Sequence, residues 1–355
     1  MGRGDFAESK KEQVERRSGC RRGSARGKAP ASCSHPLALY TPLPLDEAKS
    51  LALQYGKAAV AVHGIRGGSV NSNYRLELED GSSVFVRIYE EQDQTGAARD
   101  VALASRLAAA AVPTPAPFHL PAGGAVATHR GKPAALIPWV SGEMRCQASV
   151  RAEDLHQVGE ALARLHVAKL PEAGKDRFGE AALLERCGRI EASPDSVLSS
   201  WADPLRAWIR EVELRRVKTL PRGVIHGDVF RDNVLFDGPR LTAILDFESA
   251  SEGPFAYDLA VTLLAWCFGK DFEPLLARAL VAGYQTVRPL QDDERRGLFY
   301  EAHFGSLRFA TTRITDYAMR AGDGTNVTKD YRRFLFRMGR LRKLGPRGLR
   351  SALGL

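Results

Sequence analysis

The chain has 355 residues, of which 44% are hydrophobic and 26% are charged, and its formal net charge is +9 at pH 7. These proportions are typical of a soluble globular protein with a sizeable core, and no apolar run approaches the roughly 18 residues that a membrane span requires. The five cysteines are scattered and form no Cys-x-x-Cys pair, which argues against a zinc site and indicates reduced thiols in a cytoplasmic protein.

The first 38 residues contain nine Lys or Arg and four Asp or Glu, with almost no large apolar side chain. Such a segment buries too little surface to offset the entropy of ordering, so we predict a basic, disordered extension over residues 1–38. Because no aromatic residues alternate with its charges, we do not expect it to bind nucleic acid. A second basic stretch, residues 332–350, has eight Lys or Arg and no acid, and we interpret it as a solvated helix face.

The next part of the chain carries the signals of one short helix and three strands. Residues 46–55 predict a helix with Asp46 as its N-cap. The strand signals follow over residues 60–65, 73–79 and 84–89. Asp80-Gly81 predicts the tight turn between the last two strands. The glycines at the end of the first strand and after it, Gly64, Gly67 and Gly68, match neither a dinucleotide fingerprint nor a P-loop, so alone they indicate only a hairpin.

Helical signals dominate from residue 96 onwards. Residues 96–110 predict a helix that the prolines of residues 113–117 end, and residues 134–140 predict one more strand with a hinge after it. The side chains that share the face of the next helix are Leu155, Val158, Leu162 and Leu165. His166 follows this face, and we expect it to be a structural, hydrogen-bonded group.

Three polar side chains stand at fixed spacings after two short strands. Asp228 ends a His-Gly-Asp triplet, Asn233 comes five residues later, and Asp246 comes thirteen residues after that. Residues 223–225 and 241–245 predict the strands that deliver them. Phosphoryl transfer from ATP to a hydroxyl uses such a set, because one carboxylate orients and deprotonates the hydroxyl while an amide oxygen and a second carboxylate hold Mg²⁺.

These residues resemble the catalytic loop of the aminoglycoside phosphotransferase-like superfamily, which has His-Gly-Asp where protein kinases have His-Arg-Asp. Within that superfamily the chain is similar to the bacterial homoserine kinases over roughly residues 40–340. The segments that carry this narrower resemblance are residues 68–74, 223–226, 256–260, 265–268, 283–290, 307–309 and 312–313. The resemblance implies an α+β, bilobal, protein-kinase-like fold with a small β-rich N-terminal lobe and a larger, mainly helical C-terminal lobe.

Four regions are predicted on this basis. The extension, residues 1–38, precedes an N-terminal lobe with the nucleotide-binding sheet over residues 39–139. The C-terminal lobe, residues 140–345, holds the catalytic and acceptor sites. Residues 346–355 form a C-terminal tail.

The resemblance also implies roles for the polar residues of the C-terminal lobe. Asp228 becomes the catalytic acid–base residue, and Asn233 and Asp246 become the Mg²⁺ ligands. His226 is grouped with the catalytic residues as the side chain that shapes their loop. Asp258, the predicted N-cap of an apolar helix, is expected to brace the same loop.

The ATP phosphates are expected under the glycine-rich hairpin, where main-chain N–H groups approach closely. The contacts predicted there are Gly67, Gly68, Ser72 and Asn73. Arg87 departs from the family pattern, because it stands where kinases have a lysine on the third strand. Strand alternation turns Arg87 towards the cleft, where it can contact phosphate, and Asp100 of the following helix is its predicted partner.

The narrower resemblance implies L-homoserine as the acceptor and O-phospho-L-homoserine, on the route to threonine, as the product. Arg308 and Arg313 are candidates for binding its carboxylate, and Asp316 and Glu248 for binding its ammonium group. Two alternatives stay open: another small-molecule kinase acting on an aminoglycoside, choline or a sugar, and a protein serine/threonine kinase. A binding module without catalysis is disfavoured, since all three catalytic side chains are present. The sequence leaves the oligomeric state open.

Overall fold

The structure, a computed structural model, describes residues 41–65, 70–168, 170, 178–320 and 329–355. The predicted disordered extension and the glycines Gly67 and Gly68 lie outside these residues. No helix in the described part of the chain is both long enough and apolar enough to cross a membrane.

The N-terminal lobe is built on a five-stranded antiparallel sheet in the order β1-β2-β3-β5-β4. Its strands are β1 (Ala59–Gly64), β2 (Ser72–Leu78), β3 (Ser83–Ile88), β4 (Ala127–His129) and β5 (Lys132–Pro138). Two helices, α1 (Leu45–Gln54) and α2 (Gln94–Ala109), belong to the same lobe. Alternate side chains such as Leu76 and Val86 are fully buried, as the period of two in a strand requires.

The start of α1 differs from the prediction. The N-cap is Pro44, which makes no side-chain capping hydrogen bond, and Asp46 lies inside the first turn. An acidic side chain at that position still favours the helix, because it faces the positive end of the helix dipole.

The C-terminal lobe is mainly helical. Its helices are α3 (Ala152–Val167), α4 (Glu180–Glu191), α5 (Ser196–Ser199), α6 (Ala202–Arg215), α7 (Phe255–Trp266), α8 (Pro274–Val287), α9 (Asp292–Asp316) and α10 (Arg332–Leu353). Two short antiparallel pairs lie between α6 and α7: β6 (Arg222–Ile225) with β9 (Ser251–Pro254), and β7 (Val234–Asp237) with β8 (Arg240–Ile244). These pairs carry the polar side chains that the sequence singles out. The predicted α+β, bilobal fold is therefore confirmed.

Helix α7 is buried on all sides, which explains its apolar sequence. Asp258 lies in its first turn and not at the N-cap, which is Pro254, so the N-cap prediction is wrong. Residues 346–355 also differ from the predicted tail, because α10 kinks at Gly345 and continues to Leu353. Leu349 and Leu353 are buried against the core, and this burial keeps the end of the chain helical.

Helices α3 and α8 cross with their backbones almost touching. A Cβ atom added to Gly283 would lie 2.0 Å from the carbonyl oxygen of His156, and one added to Gly159 would lie 2.1 Å from that of Leu280. Backbone atoms cannot move aside as a flexible side chain does, so both glycines are required by close packing.

Gly283→Ala is therefore expected to lower the free energy of unfolding by about 1–3 kcal/mol or more, the usual cost of overpacking. Gly188→Ala is the matched control, since Gly188 lies in α4 with open space around the added Cβ. That change should stabilise the protein by up to about 1 kcal/mol through helix propensity. Thermal denaturation of both variants measures the difference, and equal melting temperatures would contradict the packing argument.

Candidate active site

The loop after β6 makes a sharp turn at Gly227, which has a φ of +73°. A Cβ atom at Gly227 would lie 3.1 Å from the carbonyl oxygen of Ser249, so both the conformation and the space favour glycine. The turn points the next residue, Asp228, away from the strand. The local backbone structure thus explains why a glycine stands in the middle of the His-Gly-Asp triplet.

Asp258 holds this loop through hydrogen bonds to its main chain. Its two carboxylate oxygens accept hydrogen bonds from the main-chain N–H groups of His226 and Gly227, at 2.7 and 2.8 Å. Burial alone would raise the pKa of Asp258, but hydrogen bonds from His166 and from the loop lower it below the ordinary value of an aspartate. Asp258 therefore contacts the loop for which a bracing role was predicted, and that role stays a prediction.

His166 links that brace to α8. Its Nε2 lies 3.0 Å from Oδ2 of Asp258, and its Nδ1 lies 2.7 Å from the hydroxyl of Tyr284. Burial lowers the pKa of His166, so the neutral ring donates to Asp258 and accepts from Tyr284. The expectation of a structural histidine agrees with this geometry.

His226 shapes the loop through both ring nitrogens. Nε2 lies 3.0 Å from the carbonyl oxygen of Leu245, and Nδ1 accepts from the main-chain N–H of Asp228 at 3.2 Å. A carbonyl oxygen only accepts, so Nε2 carries the proton and the ring is the neutral tautomer. In this way His226 ties the loop of Asp228 to the end of β8, next to Asp246.

Asp228 lies deep in the site but is not closed off, since 31% of its side chain is exposed. Burial raises the pKa of its carboxyl group, and the nearby cations Arg308 and Lys329 partly offset this. Nη1 of Arg308 lies 3.9 Å from Oδ1 of Asp228 and donates to the carbonyl oxygen of Gly227 at 2.9 Å. Arg308 is only 3% exposed, so its contacts are mainly with the loop that carries Asp228.

Asn233 and Asp246 are joined through the backbone. The side-chain amide nitrogen of Asn233 donates to the carbonyl oxygen of Asp228 at 2.9 Å. The main-chain carbonyl oxygen of Asn233 accepts from the N–H of Leu245 at 2.8 Å. Asp246 adopts a left-handed conformation with a φ of +67°, which aspartate tolerates better than most residues. The amide oxygen of Asn233 and the carboxylate of Asp246 are hard oxygen donors of the kind that Mg²⁺ prefers.

The predicted partner of Arg87 is corrected by the structure. Nη1 of Arg87 pairs with Asp246 at 3.3 Å and with Glu248 at 3.0 Å, while Asp100 accepts from the side chain of Gln92 at 2.8 Å. Burial alone would lower the pKa of Arg87, but the two carboxylates raise it above the ordinary value. Arg87 turns to these carboxylates because the loop after β8 brings two acids to the face of β3.

Ser72 and Asn73, at the start of β2, are both buried. Ser72 Oγ accepts from the N–H of Thr41 at 3.0 Å, and Asn73 Nδ2 lies 3.4 Å from the carbonyl oxygen of Asn71. These contacts of the two side chains lie within the N-terminal lobe, and their predicted ATP contacts stay predictions. Neighbouring Asn71, which sequence reasoning missed, donates its side-chain amide to Glu248 and so connects the two lobes.

The residues suggested for acceptor binding lie in different surroundings. Asp316 forms an ion pair with Arg186 at 2.5 Å, and Glu248 is paired with Arg87. Arg313 donates to the carbonyl oxygen of Asp330 at 3.1 Å. The two acids predicted for the ammonium group thus already have cationic partners within the chain, whereas Arg313 has none among the described carboxylates.

Arg308→Gln is expected to move the acidic limb of the kcat/KM profile to higher pH. Arg308 lowers the pKa of Asp228, so its removal raises that pKa further, and more alkaline conditions are then needed to ionise the base. Profiles of the wild type and the variant measure the shift. An acidic limb that stays in place, or moves to lower pH, would show that Arg308 only holds the loop.

Comparisons with known proteins agree with this geometry. The phosphotransferase enzyme family matches residues 61–299 of the chain. The homoserine kinase of Methylobacterium radiotolerans is 35% identical over 261 residues, which cover 72% of this chain and 80% of that protein. The homoserine kinase of Mesorhizobium japonicum is 30% identical over 307 residues, which cover 85% and 95%.

Solved structures with the same fold are more distant in sequence. Spectinomycin phosphotransferase, solved with ADP and spectinomycin, has a TM-score of 0.63 at 12% identity and covers 88% of this chain and 98% of its own. Plasmodium vivax ethanolamine kinase has a TM-score of 0.60 at 15% identity, with 86% and 90% covered. At such identities the likeness concerns the fold alone, and it supports the bilobal architecture.

Proposed function

The chain belongs to the phosphotransferase enzyme family and, within it, to the homoserine kinases, and we propose on this basis that it transfers the γ-phosphoryl group of ATP to the hydroxyl of L-homoserine. The observation that supports this most directly is the convergence of Asp228, Asn233 and Asp246 around one loop. The free cysteines of the described residues are compatible with a reducing, cytoplasmic setting.

Asp228 is proposed to orient the acceptor hydroxyl and take its proton as the oxygen attacks phosphorus. The carboxylate retains an accessible surface, and burial raises its pKa, which makes it a better proton acceptor than an ordinary aspartate. Its main chain is held by His226 and Asn233, so the side chain is positioned without using its own oxygens. The oxygen–phosphorus bond forms, and the bond from phosphorus to the ADP oxygen breaks.

Asn233 and Asp246 are proposed to hold the magnesium ion that accompanies ATP. The donor set fits, because the Asn233 amide nitrogen is used for Asp228 and its oxygen is left for a cation. When bound, the ion would neutralise charge on the phosphates. Arg87 lies against Asp246 and Glu248, where it can exchange one of these carboxylates for a phosphate oxygen.

The acceptor is tested by a coupled assay of ATP consumption with the full chain and Mg²⁺. The panel comprises L-homoserine, choline, an aminoglycoside and 2-aminobutyrate, which lacks the hydroxyl. Turnover with L-homoserine alone is expected, because a site built for one acceptor leaves its own polar groups unpaired with the others. Turnover with choline or the aminoglycoside but not with L-homoserine would assign the protein to another branch of the family.

A further inference from the structure

Four arginines beside the loop of Asp228 act on one another electrostatically. Arg231 lies in the short turn between Asp228 and Asn233, Arg313 lies in the last turn of α9, and Arg333 and Arg337 lie near the start of α10. The ring of Phe334 connects two of them. The guanidinium carbons of Arg313 and Arg337 lie 4.5 and 4.6 Å from its centroid.

None of these four side chains forms an ion pair with a carboxylate of the described residues. Arg313 donates to the carbonyl oxygen of Asp330, and Arg337 lies over the rings of Phe334 and Phe268. Elsewhere in the same lobe, comparably placed arginines are neutralised: Arg216 pairs with Glu301 at 2.8 Å and Arg288 pairs with Glu294 at 2.8 Å. Among the residues that the structure describes, this cluster thus differs from Arg216 and Arg288 in having no carboxylate paired with it.

The cluster destabilises the charged form of its own members. Burial lowers the pKa of Arg313 to about 10, although Asp228 and Asp232 oppose this effect and only Arg333 adds to it. Burial lowers the pKa of Arg337 to about 9, and like charges lower it further. For Arg337 those charges are Arg313, Arg333 and Arg231. Half-buried like charges without counterions are found where a ligand supplies the missing charge, and here the ligand must be an anion.

The position of the cluster indicates which anion is bound. Asp228 and Asp232 are the acids that act on Arg313, so the cluster borders the side of the loop where the acceptor hydroxyl must lie. The nucleotide phosphates belong on the side of Arg87 and Asp246. In an amino-acid acceptor only a short carbon chain separates hydroxyl and carboxylate, so a hydroxyl at Asp228 places the carboxylate nearby.

We propose that Arg231, Arg313 and Arg337 form the subsite that binds the carboxylate of the acceptor amino acid, with Arg333 at its rim. The inference rests on the proposed function and specifies which residues recognise the substrate. A guanidinium fork matches a carboxylate in shape and charge. The same cluster repels cationic acceptors such as choline, so it excludes competitors as well as binding the substrate. Of these four arginines, only Arg313 was predicted from the sequence to bind the carboxylate.

The test combines variants that lack one arginine charge with a substrate analogue that lacks the carboxylate charge. Arg337→Met and Arg231→Met are each assayed with L-homoserine and with L-homoserinamide, whose carboxamide is uncharged. We expect kcat/KM for L-homoserine to fall on the order of 100-fold, as for loss of one partner of a desolvated charge pair, while kcat/KM for the cationic amide stays the same or rises. Arg347→Met is the control, because Arg347 is an exposed arginine on the same helix and should leave both substrates unaffected.

Stability gives an independent readout. Arg337→Met removes a charge that burial and like neighbours disfavour, so its melting temperature should equal or exceed that of the wild type. L-homoserine should raise the melting temperature of the wild type more than that of the variant. A variant that loses activity together with stability would instead indicate a structural role and overturn the inference.

The outcomes separate the two proposals. A wild type that phosphorylates L-homoserine, with variants that lose the same factor on the acid and the amide or lose nothing, would overturn the carboxylate subsite alone. A wild type without turnover on L-homoserine would overturn the proposed function, and the subsite with it.

Discussion

Asp228→Asn is expected to lower kcat with L-homoserine by about 10²–10⁴-fold, the usual effect of removing a positioned acid–base group. Asparagine has nearly the same shape but accepts no proton. The hydrogen bonds that Asp228 makes to His226, Phe230 and Asn233 all use its main chain, so they persist in the variant. ATP binding should therefore remain close to that of the wild type, because the proposed nucleotide contacts do not include the Asp228 side chain.

The experiment combines steady-state kinetics, calorimetry with ATP and thermal denaturation. Because the buried carboxylate is disfavoured in its charged form, the variant should be as stable as the wild type or slightly more stable. Asp292→Asn is the control, since Asp292 is an exposed acid at the start of α9. Turnover near the wild-type value would remove Asp228 from the reaction.

Asp246→Asn is expected to abolish most of the tightening of ATP binding by Mg²⁺. Asparagine tolerates the left-handed conformation at this position, so the variant tests the charge of the side chain and not the shape of the turn. Loss of a residue that hydrogen-bonds to a metal ligand costs about 10–100-fold in metal affinity. Loss of the charge of the ligand itself should cost more. Turnover should fall correspondingly.

Calorimetric titrations of ATP with and without Mg²⁺ measure this effect. The charge of Arg87 stays paired in the variant, because Glu248 lies 3.0 Å from the same nitrogen, so binding of ATP without the metal should change little. If Mg²⁺ strengthened ATP binding in the variant as much as in the wild type, the metal ligand would have to be another residue.

The reaction class could be predicted from the sequence because the polar residues that indicate it are close together along the chain. Asp228 and Asn233 share one loop and are five positions apart along the chain. Asp246 follows a strand that pairs with the strand after that loop. Short spacings and strand patterns are local properties, so the residue types and their order already indicate a phosphoryl-transfer site. The family resemblance then predicted the fold class, which the structure confirms.

The sequence-based predictions were wrong where a contact joins distant segments of the chain. Arg87 and Asp246 are 159 residues apart, and no pattern along the chain indicates that the loop after β8 offers two carboxylates to β3. The family pattern suggested Asp100 instead, which is near in sequence but accepts from Gln92. Similarly, the boundary at residues 345–346 marks a real kink at Gly345, but only packing shows that the helix continues beyond it.

The sequence by itself determined the reaction class and the fold class, and it predicted the three side chains that are proposed to carry the chemistry. The tertiary structure decided which cations face which acids: Arg308 joins the catalytic loop across 81 residues, Arg87 joins the acids after β8, and Arg313 is brought together with Arg231 and Arg337. The physical reason is that charge interactions depend on distance and burial. Both are set by how helices and strands pack, and the spacing of residues along the chain does not contain them.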